Sequence, residues 1–111
     1  MRRAIGRARR RTSRLTLRIT TTHADHTTCI TLEGRIAGPW AAELGRAWRD
    51  LAPSLTNRKL TIDLRNATYA DTRGLEVLRG IYAGTRAELV TNTPWTRYLA
   101  EEITRKAQHA L

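Results

Sequence analysis

Four consecutive residues, Asp71-Thr72-Arg73-Gly74, place a carboxylate, a hydroxyl, a cation and a glycine between a predicted strand and a predicted helix. The first N–H groups of a helix lack partners within the helix, and the helix dipole favours negative charge there. A phosphate group on Thr72 would therefore occupy a favourable place. An N-cap role, which is common for aspartate, also explains Asp71. The local sequence leaves both interpretations open.

The elements on either side of this segment follow from hydrophobic periodicity. Lys59–Leu64 alternates apolar with polar residues, which predicts a half-buried strand. Apolar residues then recur at helical spacing from about Thr72 to Ala83, which predicts an amphipathic helix, and Gly84 is suited to its C-terminal end. The segment at Asp71 is therefore expected to lie where a strand ends and a helix begins.

The same criteria predict the remaining elements. In chain order they are a strand from Leu15 to Ile19, a strand from about Cys29 to Ile36, a helix that starts at Pro39 and ends before Pro53, a strand at Ala87–Thr91, and a helix from Thr93 to Ile103. Strands that alternate with helices form parallel pairs through right-handed crossovers, whereas the first two strands favour a hairpin. The sequence thus predicts an α/β fold with a single mixed, mostly parallel four-stranded sheet.

One face of this sheet is expected to be polar. The residues that alternate with the apolar positions are Thr16, Arg18, Thr31, Glu33, Thr61 and Asp63. Sheets that carry helices on both faces have near-continuous apolar strands. The helices are therefore expected to pack mainly on one face, which argues against a doubly wound nucleotide-binding fold. Asp63 would be solvated on the open face or paired with Arg18 or Arg35.

The positive charge is concentrated at the N-terminus. The chain has 111 residues and a net charge of +10, and seven of its 20 basic residues lie within residues 1–14, which contain no acid. The composition predicts a disordered basic arm over residues 1–14 and one folded domain over residues 15–111. The arm could contact nucleic acid electrostatically, but the charge excess of the remaining residues is small, so an arm without a specific role is favoured.

Several classes of function find no support in the sequence. No apolar run is long enough to span a bilayer, no signal-peptide segment follows the N-terminus, and the single Cys29 suits a reducing compartment, so a cytoplasmic location is expected. His23 and His26 are interpreted as residues of a turn, because no third ligand joins them in a metal-binding pattern. A glycine-rich phosphate loop and a nucleophile–base set are also absent. We therefore expect no enzymatic activity, no cofactor and no metal.

Three segments resemble a STAS domain, the module shared by anti-sigma factor antagonists and the tails of sulphate transporters. They are Ile30-Thr-Leu-Glu-Gly34, Leu60-Thr-Ile-Asp-Leu64 and Asp71-Thr-Arg-Gly-Leu75, and the resemblance extends from about Leu15 to Ile103. In that family the third motif usually reads Asp-Ser-Ser/Thr-Gly-Leu, and the residue after the aspartate accepts a phosphate. The resemblance therefore implies that Thr72 is the phosphoacceptor and that the helices lie on one side of the sheet.

The chain departs from the family pattern at three places. Thr72 stands where serine is commoner, and Arg73 stands where a small hydroxyl residue is usual. The segment Gly34-Arg35-Ile36-Ala37 lacks the acidic residue that the family often carries near the end of its second strand.

The resemblance also implies a function and a surface that performs it. The protein would be an anti-sigma factor antagonist of bacterial transcription regulation, a phosphoprotein that binds an anti-sigma factor or a related regulator through Asp71, Thr72, Arg73, Gly74 and Glu76. Phosphorylation of Thr72 would switch that contact. One alternative is a STAS-type scaffold subunit of a membrane transport complex. A second alternative is nucleic-acid binding through the arginine-rich arm.

Overall fold

A computed structural model describes residues 8–12 and 17–108 of the chain. Within these residues the elements are β1 (Ala8–Thr12), β2 (Leu17–Ala24), β3 (Thr27–Ile36), α1 (Pro39–Leu51), a short 3₁₀ turn (Ala52–Leu55), β4 (Lys59–Ala70), α2 (Thr72–Thr85), β5 (Glu88–Val90) and α3 (Pro94–Gln108). The five strands form one sheet in the order β1-β2-β3-β4-β5. β2 pairs in antiparallel fashion with β1 and β3, whereas β4 pairs in parallel with β3 and β5.

The predicted fold class is confirmed. In the described part of the chain the four predicted strands correspond to β2–β5, and two of their three pairings are parallel. Successive strands and helices alternate from β3 to α3. The sheet is therefore mixed, and its parallel half is the part that the helices connect.

A fifth strand, β1, lies within residues 1–14, where the sequence predicted a disordered arm. Ala8–Thr12 pairs with β2, from Ala8 opposite Thr22 to Thr12 opposite Arg18, so the predicted disorder is wrong for these five residues. Strand pairing uses backbone N–H and C=O groups, so an arginine-rich segment can join a sheet edge without any hydrophobic periodicity. The rest of the predicted arm, and Leu15 of the predicted first strand, lie outside the described residues.

The hydrophobic core lies between one face of the sheet and the helices. It is built from buried side chains of the strands and of all three helices: Ile30, Leu32, Ile36, Ile62, Leu64, Leu44, Leu78, Ile81, Leu99 and Ile103. Trp40, Trp48 and Trp95 pack against this cluster. On the opposite face Thr20, Thr31 and Thr61 are half-buried and polar. The prediction that the helices share one face and leave the other open is thus confirmed.

β4 extends further than the sequence predicted. It runs from Lys59 to Ala70 rather than ending at Leu64, and the register between β3 and β4 shifts twice. Arg65 and Asn66 are both exposed, which breaks the alternation on which the prediction depended. The extension carries the chain to the edge of the sheet where Asp71 begins the turn into α2.

Asp63 makes a different ion pair from the one predicted. The Arg65 guanidinium donates two hydrogen bonds to the Asp63 carboxylate, from Nε to Oδ1 at 3.0 Å and from Nη2 to Oδ2 at 2.9 Å, and the Asp63 side chain is only 12% exposed. Residues two apart on a strand share a face, which brings the two side chains together. The side-chain hydrogen bonds from Arg65 lower the pKa of Asp63. The predicted pairing of Asp63 with Arg18 or Arg35 is therefore wrong. Arg18 instead forms an ion pair with Glu33, with 3.7 Å between Arg18 Nη1 and Glu33 Oε1.

Candidate functional site

Asp71 caps the N-terminus of α2. Its backbone is extended, with φ −90° and ψ −177°, and its Oδ1 accepts a hydrogen bond from the backbone N–H of Gly74 at 2.8 Å. This bond satisfies one of the N–H groups that the first turn of a helix leaves without an intrahelical partner. The structural role that the sequence allowed for Asp71 is therefore present.

The second carboxylate oxygen of Asp71 binds the neighbouring turn. Oδ2 accepts a hydrogen bond from the backbone N–H of Gly38 at 3.0 Å, and Gly38 directly precedes α1. The backbone N–H of Asp71 in turn donates to the carbonyl of Ile36, at 3.2 Å. One carboxylate thus ties the β3–α1 turn to the β4–α2 turn. The hydrogen bond from Gly38, followed by that from Gly74, lowers the pKa of Asp71.

Two glycines make this arrangement possible. Gly38 has φ 58° and ψ −136°, a backbone conformation that residues with a side chain rarely adopt. Gly74 is buried, and a Cβ atom at this position would overlap the carbonyl oxygen of Ile36. The start of α2 therefore lies directly against the end of β3. Gly74, which the sequence placed among the docking residues, positions the turn from inside the fold.

The remaining predicted docking residues share the exposed start of α2. Thr72 is its first helical residue, and Thr72, Arg73 and Glu76 are all exposed. The Thr72 side chain forms no hydrogen bond or ion pair with any other described residue. Further along the exposed side of α2 lie Gly80 and Gly84, where a Cβ atom would have no neighbour within 4 Å. We call the exposed residues Thr72, Arg73, Glu76 and Gly80 the α2 surface.

A solved structure with the same architecture is the "Crystal Structure of an Anti-sigma Factor Antagonist from Mycobacterium paratuberculosis". The TM-score is 0.70, and the match covers 88% of this chain and 86% of that chain at 19% sequence identity. The protein has a STAS-like fold. No protein-family model and no curated protein matches the sequence, so this structural likeness carries the assignment of the fold.

The STAS-like fold brings a cation and an aromatic ring to the same sheet edge as Asp71. Arg35 of β3 lies opposite Tyr69 of β4, and its guanidinium carbon is 4.3 Å from the ring centre. Tyr69 is 41% exposed and precedes Asp71 by two residues. This pair could not be predicted from the sequence, because the register shift between Gly34 and Arg35 decides which residues of β3 and β4 face each other.

Other candidate sites find structural explanations in the described part of the chain. His23 Nδ1 lies 2.9 Å from the hydroxyl of the buried Thr28, which places the ring in a hydrogen bond of the β2–β3 hairpin. Among residues 8–12 and 17–108, no three His, Cys, Asp or Glu residues form a group that could hold a metal ion. No helix in these ranges has the length and apolar content needed to cross a membrane.

The start of α2 presents an exposed hydroxyl group to solvent. A hydroxyl stands at a helix N-terminus, with a carboxylate on one side and a guanidinium on the other. An exposed hydroxyl of this kind is accessible to a kinase and to a protein partner.

Proposed function

We propose that the protein is a non-enzymatic regulator of the anti-sigma factor antagonist type, acting in the bacterial cytoplasm. It binds an anti-sigma factor through the α2 surface and thereby competes with the other client of that factor. The observation that carries this proposal is the exposed Thr72 hydroxyl at the first position of α2. Asp71 fixes the start of this helix, because its carboxylate accepts hydrogen bonds from the backbone N–H groups of Gly38 and Gly74. The likeness to an anti-sigma factor antagonist structure supports the choice of partner class.

Phosphorylation of Thr72 regulates this contact. A phosphate would add about two negative charges at the N-terminus of α2, where the helix dipole stabilises them. The same charges would lie next to Asp71 and would have to be desolvated when the partner binds. Arg73 is the nearest exposed cation in sequence and neutralises part of that charge. We therefore expect phosphorylation to weaken docking, and Arg73 to moderate the effect.

Thr72→Asp and Thr72→Ala separate the switch from the contact itself. The experiment captures the partner from lysate of the native organism with the wild-type protein and identifies it by mass spectrometry. Titration calorimetry then measures its affinity for each variant. Thr72→Asp is expected to weaken binding about tenfold, because an added charge must be desolvated in the interface. Thr72→Ala should bind like the wild type.

Thr56→Asp is the matched control, because Thr56 is an exposed threonine in the connection after the 3₁₀ turn. It should leave the affinity unchanged. Equal affinities of Thr72→Asp and Thr72→Ala would rule out the switch. Capture of a membrane transporter subunit instead of an anti-sigma factor would replace the proposed partner by the transport-complex alternative.

A further inference from the structure

A concave site lies at the opposite end of the parallel strands from Asp71. It is a cleft of about 320 Å³ between the starts of β4 and β5 and the end of α2. Its walls are formed by Thr27, Arg58, Lys59, Leu60, Thr61, Thr85, Arg86 and Glu88. None of these residues belongs to the α2 surface, so the cleft is independent of the proposed docking function.

The cleft has an excess of positive charge. Arg58, Lys59 and Arg86 line it together with a single acid, Glu88. None of these four side chains forms an ion pair with another residue in the described ranges. Like charges that share a concave surface repel one another, and an anion placed between them relieves that repulsion. The charge of the cleft thus matches a small anion rather than a neutral ligand.

The walls of the cleft also hold hydrogen-bond donors in place. Arg58 is half-buried, and its Nη1 donates a hydrogen bond to the carbonyl of Thr27 at 3.3 Å. This bond fixes the guanidinium, whose other N–H groups remain able to donate to a ligand. Thr61 contributes a hydroxyl that has no partner among the described side chains. Thr85 is occupied, since its hydroxyl donates to the Ile81 carbonyl and accepts from the Ala87 N–H.

Arg86 occupies a backbone position at which glycine is usually found. It follows α2 in the left-handed conformation, with φ 54° and ψ 42°, and its N–H donates to the Tyr82 carbonyl at 2.7 Å. Glycine adopts this helix-ending conformation without strain, whereas a side chain disfavours it. The guanidinium carbon lies 5.4 Å from the centre of the Tyr82 ring. The fold therefore accepts backbone strain at a position that presents a cation to the cleft.

We propose that this cleft binds a small phosphorylated molecule, with Arg58, Lys59 and Arg86 contacting its phosphate groups. Guanidinium groups bind phosphate oxygens through paired, charge-assisted hydrogen bonds, and a lysine adds a point charge. The cleft volume lies at the lower end of the range for small-molecule sites, so the cleft has room for a small phosphorylated molecule. A nucleic-acid backbone would need a row of cations along an extended surface rather than three around one cleft.

Titration calorimetry of the full chain with sodium pyrophosphate, in about 150 mM sodium chloride, tests this proposal. We expect saturable binding by the wild type and about tenfold weaker binding by Lys59→Gln and by Arg86→Gln, because each removes a charge-assisted contact. Arg97→Gln is the matched control, since it removes an exposed arginine on α3, away from the cleft. It should change the affinity less than roughly twofold.

Arg86→Gly separates binding from folding. It should raise the melting temperature, because glycine relieves the left-handed strain, and it should lose pyrophosphate affinity as Arg86→Gln does. The proposal is overturned if the wild type shows no saturable binding. It is also overturned if Arg97→Gln weakens binding as much as Arg86→Gln, which would indicate attraction by net charge alone.

Discussion

Asp71 performs two structural tasks with one carboxylate, because it accepts hydrogen bonds from the backbone N–H of Gly38, directly before α1, and from that of Gly74 in the first turn of α2. The cap on α2 could be predicted from the sequence, since an aspartate stands directly before Thr72, where the predicted helix begins. The bond to Gly38 could not be predicted, because its partner lies 33 residues away and depends on the pairing of β3 with β4. The ion pair of Asp63 with Arg65 was not predicted, because the predicted strand ended at Leu64, whereas β4 continues through Arg65 to Ala70.

Replacing Asp71 with asparagine removes one of these two acceptors. The amide keeps one oxygen but presents an NH₂ group to a backbone N–H. We expect Asp71→Asn to lower the free energy of unfolding by about 1–3 kcal/mol, the range for lost caps and charged hydrogen bonds. Urea denaturation followed by circular dichroism measures this loss.

Asp25→Asn is the control for that measurement. Asp25 is exposed in the β2–β3 turn, with φ 38°, a region that asparagine tolerates. It should change stability little. If Asp71→Asn and Asp25→Asn are equally stable, the bridging role of Asp71 is wrong.

The lowered pKa values of Asp71 and Asp63 predict a loss of stability in acid. A carboxyl group whose pKa is lower in the folded than in the unfolded state contributes stability above its unfolded pKa, which is about 4. That contribution is lost as the pH falls through the folded pKa. Urea midpoints of the wild type should therefore be stable from neutral pH to about pH 5 and fall below about pH 4. Asp71→Asn should show a shallower fall, and a parallel fall would contradict the assignment of this effect to Asp71.

At the scale of elements, two glycines of α2 have opposite environments. A Cβ atom at Gly80 would meet nothing within 4 Å, whereas one at Gly74 would overlap the carbonyl of Ile36. Gly80→Ala should raise the free energy of unfolding by about 0.5–1 kcal/mol, because alanine has the higher helix propensity. Gly74→Ala should lower it by about 3 kcal/mol, at the upper end of the usual cost of overpacking.

Thermal or urea unfolding of the two variants gives a direct comparison within one helix. Gly80→Ala also serves as a folding control for the α2 surface, because it adds only a methyl group there. A stabilised Gly74→Ala, or a Gly80→Ala that is as unstable as Gly74→Ala, would show that the start of α2 does not lie against β3 as described.

The elements that hydrophobic periodicity could reveal were predicted, and the others were not. β2, α1, α2 and α3 bury a regular stripe or alternating face, which a period of two or 3.6 residues reports. β1 joins the sheet edge through its backbone, and the second half of β4 contains irregular register, so neither has a clean period. The junction that carries the proposed site could be predicted, because α2 begins at Thr72, as its helical spacing indicates.

At the scale of the whole molecule, the STAS-like fold separates three surfaces. The open face of the sheet carries half-buried threonines, the α2 surface carries Thr72 and Arg73, and the cationic cleft lies at the far end of the parallel strands. Hydrophobic periodicity predicted the open face, and the family resemblance predicted a docking role for Thr72, Arg73 and Glu76 of the α2 surface. The cleft could not be predicted from the sequence, because its residues come from separate elements: Lys59 begins β4, Arg86 follows α2 and Glu88 begins β5.

Mapping the bound partner onto these surfaces tests the central claim most directly. The measurement compares amide chemical shifts of the isotope-labelled protein, free and bound to the captured anti-sigma factor. We predict that the largest changes fall on Thr72, Arg73, Glu76 and Gly80, while Thr20 and Thr31 on the open face stay unchanged. A footprint centred on the open face, with the start of α2 unaffected, would contradict the account.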